Sequence, residues 1–145
     1  MSTRCQIGFY ERNEKDLNKW EALIYRHCDG YPKEIIPDIE PFLRWFKTER
    51  GNISEIEYVS CRLLQYLCNK SDQAEKELLQ EIGHEPKTGL TGTTGFCICK
   101  EFHGDIAYYY AIYPKEIVVY EVSDDDCNKW NKLQTISLEE TPCHN

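Results

Sequence analysis

The chain has no apolar run of the roughly 20 residues that a membrane-spanning helix needs, which argues against that class of membrane protein. Its opening, Met1-Ser2-Thr3-Arg4-Cys5, lacks an apolar signal core and reads as the start of a strand, so a cytoplasmic location is expected. No Cys-x-x-Cys pair occurs among its eight cysteines, which removes the usual zinc-ribbon and redox signature and leaves reduced thiols as the expectation. A Gly-Lys-Ser/Thr phosphate loop, a dinucleotide fingerprint, a nucleophile elbow and Ser-His-Asp spacing are all missing. Basic residues are few, 17 against 25 acids for a net charge of −8. A surface of that sign repels phosphate backbones and disfavours general nucleic-acid binding. No repeat or linker divides the 145 residues, so 1–145 is expected to form one domain, with 123–145 as an acidic, partly ordered tail.

What is present is a clear order of elements. Thr3–Tyr10 alternates and is rich in strand formers, the polar run Glu11–Lys19 breaks it, and Trp20–His27 resumes as a second strand. Pro37 is placed to open a helix that stops near Gly51. Ser54 with Glu57 forms a capping-box pattern for a second helix, and Ser71 or Asp72 caps a third that ends at Gly83. A Gly/Thr-dense loop fills 85–95, and strands are expected at Phe96–Phe102, Ile106–Ile112 and Ile117–Val122. In the second of these, Tyr108 and Tyr110 share one face and Tyr109 the other. The expected fold is a two-layer α+β domain of order ββαααβββ, a five-stranded antiparallel sheet with three helices on one face. Its two open edges make a homodimer a natural expectation.

The densest chemistry lies in Tyr25-Arg26-His27-Cys28-Asp29-Gly30-Tyr31-Pro32, with a smaller echo at His103-Gly104-Asp105. His27 with Asp29, and His103 with Asp105, are candidate acid–base pairs beside strand ends. The plainer alternative is that Asp29-Gly30 only turns the chain and Tyr31-Pro32 sets its exit. Convergence of the two segments would gather two imidazoles and two carboxylates, a group suited to phosphoester hydrolysis. No metal motif of known spacing is present, so neither metal nor cofactor is expected. Cys97-Ile98-Cys99 with His103 is a fragment of a zinc set that needs Cys5 or Cys28 to complete it, and two core thiols is the more ordinary reading. Lys87, Thr91, Thr93 and Thr94 offer donors to an anion. Arg4 and Arg26 are candidate phosphate partners, and Tyr25, Tyr31, Tyr108 and Tyr110 candidate stacking surfaces, although tyrosine is also a common strand former.

Ser2-Thr3-Arg4, Ile24–Pro32 and Gly104–Tyr110 resemble segments of small uncharacterised bacteriophage and prophage proteins. Those proteins have an N-terminal Thr-Arg strand and a His-x-Asp-Gly-Tyr-Pro motif. The likeness covers the strand regions, about a third of the chain. It implies an accessory viral protein of the host cytoplasm that antagonises a host defence. The expected activity is non-enzymatic sequestration of a small anionic, nucleotide-like ligand. The alternatives are an acidic inhibitor of a host defence protein, anti-CRISPR-like or a nucleic-acid mimic acting through Asp124, Asp125 and Asp126, and a small phosphoester hydrolase using His27 and His103.

Overall fold

The computed structural model describes residues 3–84, 95–123 and 129–139. Six strands and two helices follow in the order ββααββββ: β1 (Cys5–Phe9), β2 (Ala22–Arg26), α1 (Pro32–Arg50), α2 (Ile56–Glu81), β3 (Phe96–Ile98), β4 (Tyr108–Ile112), β5 (Glu116–Val122) and β6 (Trp130–Ser137). The spatial order is β3-β2-β1-β4-β5-β6. The class is α+β, but the five antiparallel strands and three helices expected are replaced by six strands in a mixed sheet and two helices.

Each difference has a local cause. α1 opens at Pro32 behind an extended Tyr31, since a proline costs no hydrogen bond at the first helical position. Pro37 and Pro41 lie inside the helix on its exposed side, and burial of Ile35, Ile39, Leu43 and Phe46 holds it together across them. The second and third expected helices are one, because neither glycine nor proline interrupts 56–81 and Ser71-Asp72 is tolerated within a helix. Ser54 does not cap it: the N-cap is Glu55, and the Ser54 hydroxyl donates to Asn52 Oδ1 at 2.6 Å. Only Phe96–Ile98 of the expected strand 96–102 pairs, and it pairs with β2. The chain then folds back across the sheet to start β4, parallel to β1 with Cys5 opposite Tyr108. The two expected strands 96–102 and 106–112 are therefore joined by a crossover, and β3 and β4 stand apart in the sheet with β2 and β1 between them.

Part of the supposed tail is strand β6, antiparallel to β5. Being an edge strand exposed along most of its length, it shows little apolar alternation. Backbone pairing and the buried Leu138 secure it, and Arg44 and Lys47 of α1 donate to the Ser137 and Leu138 carbonyls.

The two faces of the sheet are covered differently. Cys5, Ile7, Phe9, Ile24, Tyr110 and Val119 pack under the helices. Leu23, Tyr109, Ala111, Val118 and Val122 pack on the other face, under Cys99, Ile106, Phe102 and Trp130. Tyr109 lies flat across Gly8, where a Cβ would stand 1.6 Å from its hydroxyl. That hydroxyl meets Tyr10, whose own hydroxyl donates to the Leu17 carbonyl at 2.6 Å and so pins the β1–β2 loop. No helix among the described residues is long and apolar enough to cross a membrane.

Candidate functional site

β1, β3 and β4 begin at the sheet end where β2 finishes. Arg4 precedes β1, His27 follows β2, and the crossover brings His103 and Asp105 to the same end. Four ring or charge contacts tie them together. Tyr25 Oη lies 2.9 Å from His27 Nδ1. Arg4 Nε donates to the same nitrogen at 3.5 Å. Arg4 Nη1 pairs with Asp105 Oδ2 at 3.1 Å. The His103 ring lies over Tyr25 with centroids 4.6 Å apart. Because a guanidinium only donates, His27 Nδ1 accepts, and Nε2 is the ring nitrogen left for another partner. Burial and then the Asp105 charge raise the Tyr25 phenol above its ordinary value, so it stays a neutral hydroxyl at physiological pH.

Residues with no obvious chemistry build this arrangement. Gln6 is fully buried in the middle of the sheet, opposite Tyr25 on one side and Tyr109 on the other. Its Nε2 donates to the Glu101 carbonyl at 3.1 Å and its Oε1 accepts the His103 N–H at 2.9 Å. One buried amide therefore holds the crossover down and sets His103 on Tyr25. The Gly95 carbonyl accepts the His27 N–H at 2.7 Å, and a Cβ at Gly95 would stand 2.5 Å from His27 Cβ. The Ala107 N–H donates to the Arg4 carbonyl at 2.8 Å. A glutamine inside the apolar strand CQIGF was the available signal for this latch.

Arg4, Tyr25, His27, His103 and Asp105 are thus brought together, and the other candidates among the described residues are not. Arg26 turns to the helical side, where its guanidinium pairs with Asp38 at 2.9 Å and Lys70 reaches the other oxygen of Asp38 at 2.7 Å. Tyr110 is buried beneath the helices and donates to the Gly30 carbonyl at 2.6 Å, which anchors the turn. Asp29 occupies the left-handed region at φ 57°, and Gly30 fits because a Cβ there would meet Cys5 and the Thr3 carbonyl, each at 2.9 Å. Tyr31 and Tyr108 face each other on the helical side, centroids 5.9 Å apart. Lys87, Thr91, Thr93 and Thr94 lie outside the described residues, as do Asp124, Asp125 and Asp126. No group of three or more His, Cys, Asp or Glu side chains among the described residues is arranged to hold a metal ion. Cys5 and Cys99 are buried on opposite faces of the sheet, and burial pushes their thiols up to about 12 and about 11.

A second feature lies on the helical layer: a groove of about 740 Å³ between α1 and α2, lined by Trp45, Tyr58, Tyr66, Arg50 and Arg62 among others. Tyr66 flanks the apolar stripe of α2 and packs partly against the core, whereas Trp45, Arg50, Tyr58 and Arg62 stand off the stripes, so periodicity passes over them; Tyr58 and Arg62, four apart, were the available sign. No protein-family model, curated protein or solved structure matches the chain.

Proposed function

We propose that this chain is a phage-type accessory binding protein that sequesters a small anionic, nucleotide-like ligand at the sheet end. One observation carries the reading: Arg4, Tyr25, His27 and His103, from three separate parts of the chain, meet on one face and are held there by a buried glutamine latch. Guanidinium and imidazole N–H groups suit a phosphate. The Tyr25–His103 ring pair offers a flat surface to a base. Asp105 competes for Arg4, so the ligand takes its place on the guanidinium. Native mass spectrometry, followed by denaturation of the same sample, tests the reading. An added nucleoside monophosphate should bind, leave intact on unfolding, and fail to bind Arg4→Ala or His103→Ala chains that keep their fold. Equal binding by those variants, or by none of the chains, overturns it.

A second reading has its own observation: both imidazoles touch the one phenol of Tyr25. Two histidines at one site suit acid–base hydrolysis of a phosphoester. Recovery of an altered ligand, abolished in His27→Ala, would establish that reading in place of sequestration.

A further inference from the structure

The groove between the helices belongs to neither reading. Phe42 lies 5.1 Å from Tyr66 and 5.9 Å from Trp45, and Phe46 lies 6.2 Å from Tyr58, so one wall of rings runs along it. Trp45 is 57% exposed and Tyr58 37%, which leaves large apolar faces in water. Arg50 and Arg62 both stand over the Tyr58 ring, at 4.5 and 4.9 Å from its centre. Arg62 also donates to the Tyr58 hydroxyl at 2.9 Å and to Gln65 Oε1 at 3.2 Å. Among the described residues no carboxylate comes within ion-pair distance of either guanidinium, although Glu49 lines the same groove. Beyond Tyr58, Arg62 and Gln65, which line both hollows, the surface continues into a second one of about 930 Å³. There the charge reverses: Glu11, Glu21, Glu55 and Glu57 line it, and among the described residues none of them has a basic ion-pair partner.

We infer that this trough docks an amphipathic helix of a partner protein whose charge is split, acidic over Arg50 and Arg62 and basic over the glutamates beyond. Trp, Tyr and Arg are the residue types that dominate binding energy at protein interfaces. A small-molecule site encloses most of its ligand. A wall whose tryptophan is more than half in water encloses nothing small, whereas a helix laid along it brings its own cover. The α1 wall from Pro41 to Arg50 is roughly 14 Å long at about 1.5 Å per residue, which matches about two and a half turns of a docked helix, and the second hollow extends the trough beyond it. The charge reversal explains how a chain of net −8 accepts acidic residues at one end: they meet Arg50 and Arg62, and basic residues meet the glutamates of the second hollow. The inference goes beyond the ligand reading and stands or falls separately from it, since it uses no residue of the sheet end.

Selection of a random peptide display library against the full chain tests it. Peptides carrying an acidic block, a basic block and apolar residues at helical spacing should be enriched. They should shift the indole N–H resonance of Trp45. Binding should weaken roughly tenfold or more in Trp45→Ala and in Arg62→Glu, as for hot-spot residues, and stay unchanged in Arg4→Ala. Both groove variants alter exposed side chains, and circular dichroism checks that they fold. Absence of enrichment overturns the inference, as do peptides that bind Trp45→Ala and Arg62→Glu like the parent chain. A nucleoside monophosphate that moves the Trp45 resonance while the selected peptides do not would overturn it in favour of a small ligand.

Discussion

At the sheet end and in the helix groove alike, arginine stands beside tyrosine, yet the two places are finished differently. Arg4 has Asp105 at 3.1 Å, a histidine to donate to, and a loop clamped over its neighbours by a buried amide. Arg50 and Arg62 have the face of Tyr58 and, among the described residues, no carboxylate within ion-pair distance. A compensated cation sits in a closed local network, and a ligand must displace something to reach it. An uncompensated pair over an exposed aromatic wall leaves its electrostatic demand open to a partner. The sheet end thus couples recognition to the fold, whereas the groove presents side chains on helices that stay intact without them. Substitutions should separate the two regions along that line.

The largest effect is expected at Gln6. Gln6→Ala removes a fully buried amide and orphans the Glu101 carbonyl and the His103 N–H together. Both orphaned groups are only part-buried, so each costs toward the lower end of the about 1–3 kcal/mol of an unpaired buried group, and with the cavity a loss of roughly 2–4 kcal/mol is expected in denaturant unfolding. His103 should come off Tyr25, while peptide binding in the groove should persist under conditions where the chain is folded. A change within about 0.5 kcal/mol would show that the crossover is held by Phe102 and Ile106 alone.

Alkali should come next, and it acts on the sheet rather than the groove. Burial pushes the Cys5 thiol up to about 12 and the Tyr113 phenol up to about 12. Between their ordinary values, near 9 and 10, and those raised values, the folded chain keeps protons that the unfolded chain gives up. Stability from these groups is fully present below about pH 9 and is lost as pH rises toward 12. Thermal melts from neutral to alkaline pH should show a steady fall in Tm from that point; a flat profile would mean that neither group is desolvated as the packing requires.

Asp105→Asn breaks only the comparison of charge. The pair is exposed on both sides, 37% and 53%, so stability should change by less than about 1 kcal/mol. Arg4 is then released, and a nucleoside monophosphate should bind tighter by roughly three- to tenfold, the worth of about 1 kcal/mol. Weaker binding would mean that Asp105 contacts the ligand rather than competing with it.

How much of this the sequence shows depends on whether a feature is local. The His-x-Asp turns are local, so His27, Asp29, His103 and Asp105 could be named from their spacing. The tyrosine alternation in β4 is local too, and its faces fall as the period of two requires. The groove joins residues on two helices that no pattern within either one connects. The β1–β4 pairing depends on a crossover, and no signal in either strand announces that it is parallel. Arg26 and Tyr25 are neighbours in sequence and stand on opposite faces, so a single cluster drawn from that segment was bound to be split by the pleat. Gln6 did carry a signal, a polar residue in an apolar strand, which makes buried amides as informative as histidines when a site is sought.

The smallest effect concerns Tyr58, and it is the most selective. The Arg62 hydrogen bond first, then its charge and that of Arg50, hold this phenol below its ordinary value, while the tyrosines of the sheet are raised by burial. In an ultraviolet difference titration Tyr58 should therefore ionise before every tyrosine of the sheet core. Arg62→Ala should move that first step upward and leave the melting temperature nearly unchanged, as for other substitutions on an exposed surface. Arg4→Ala should not move it at all. If Arg62→Ala instead leaves the first step in place, the guanidinium is not held over the ring in solution, and the groove loses the fixed cation on which its charge-split partner depends.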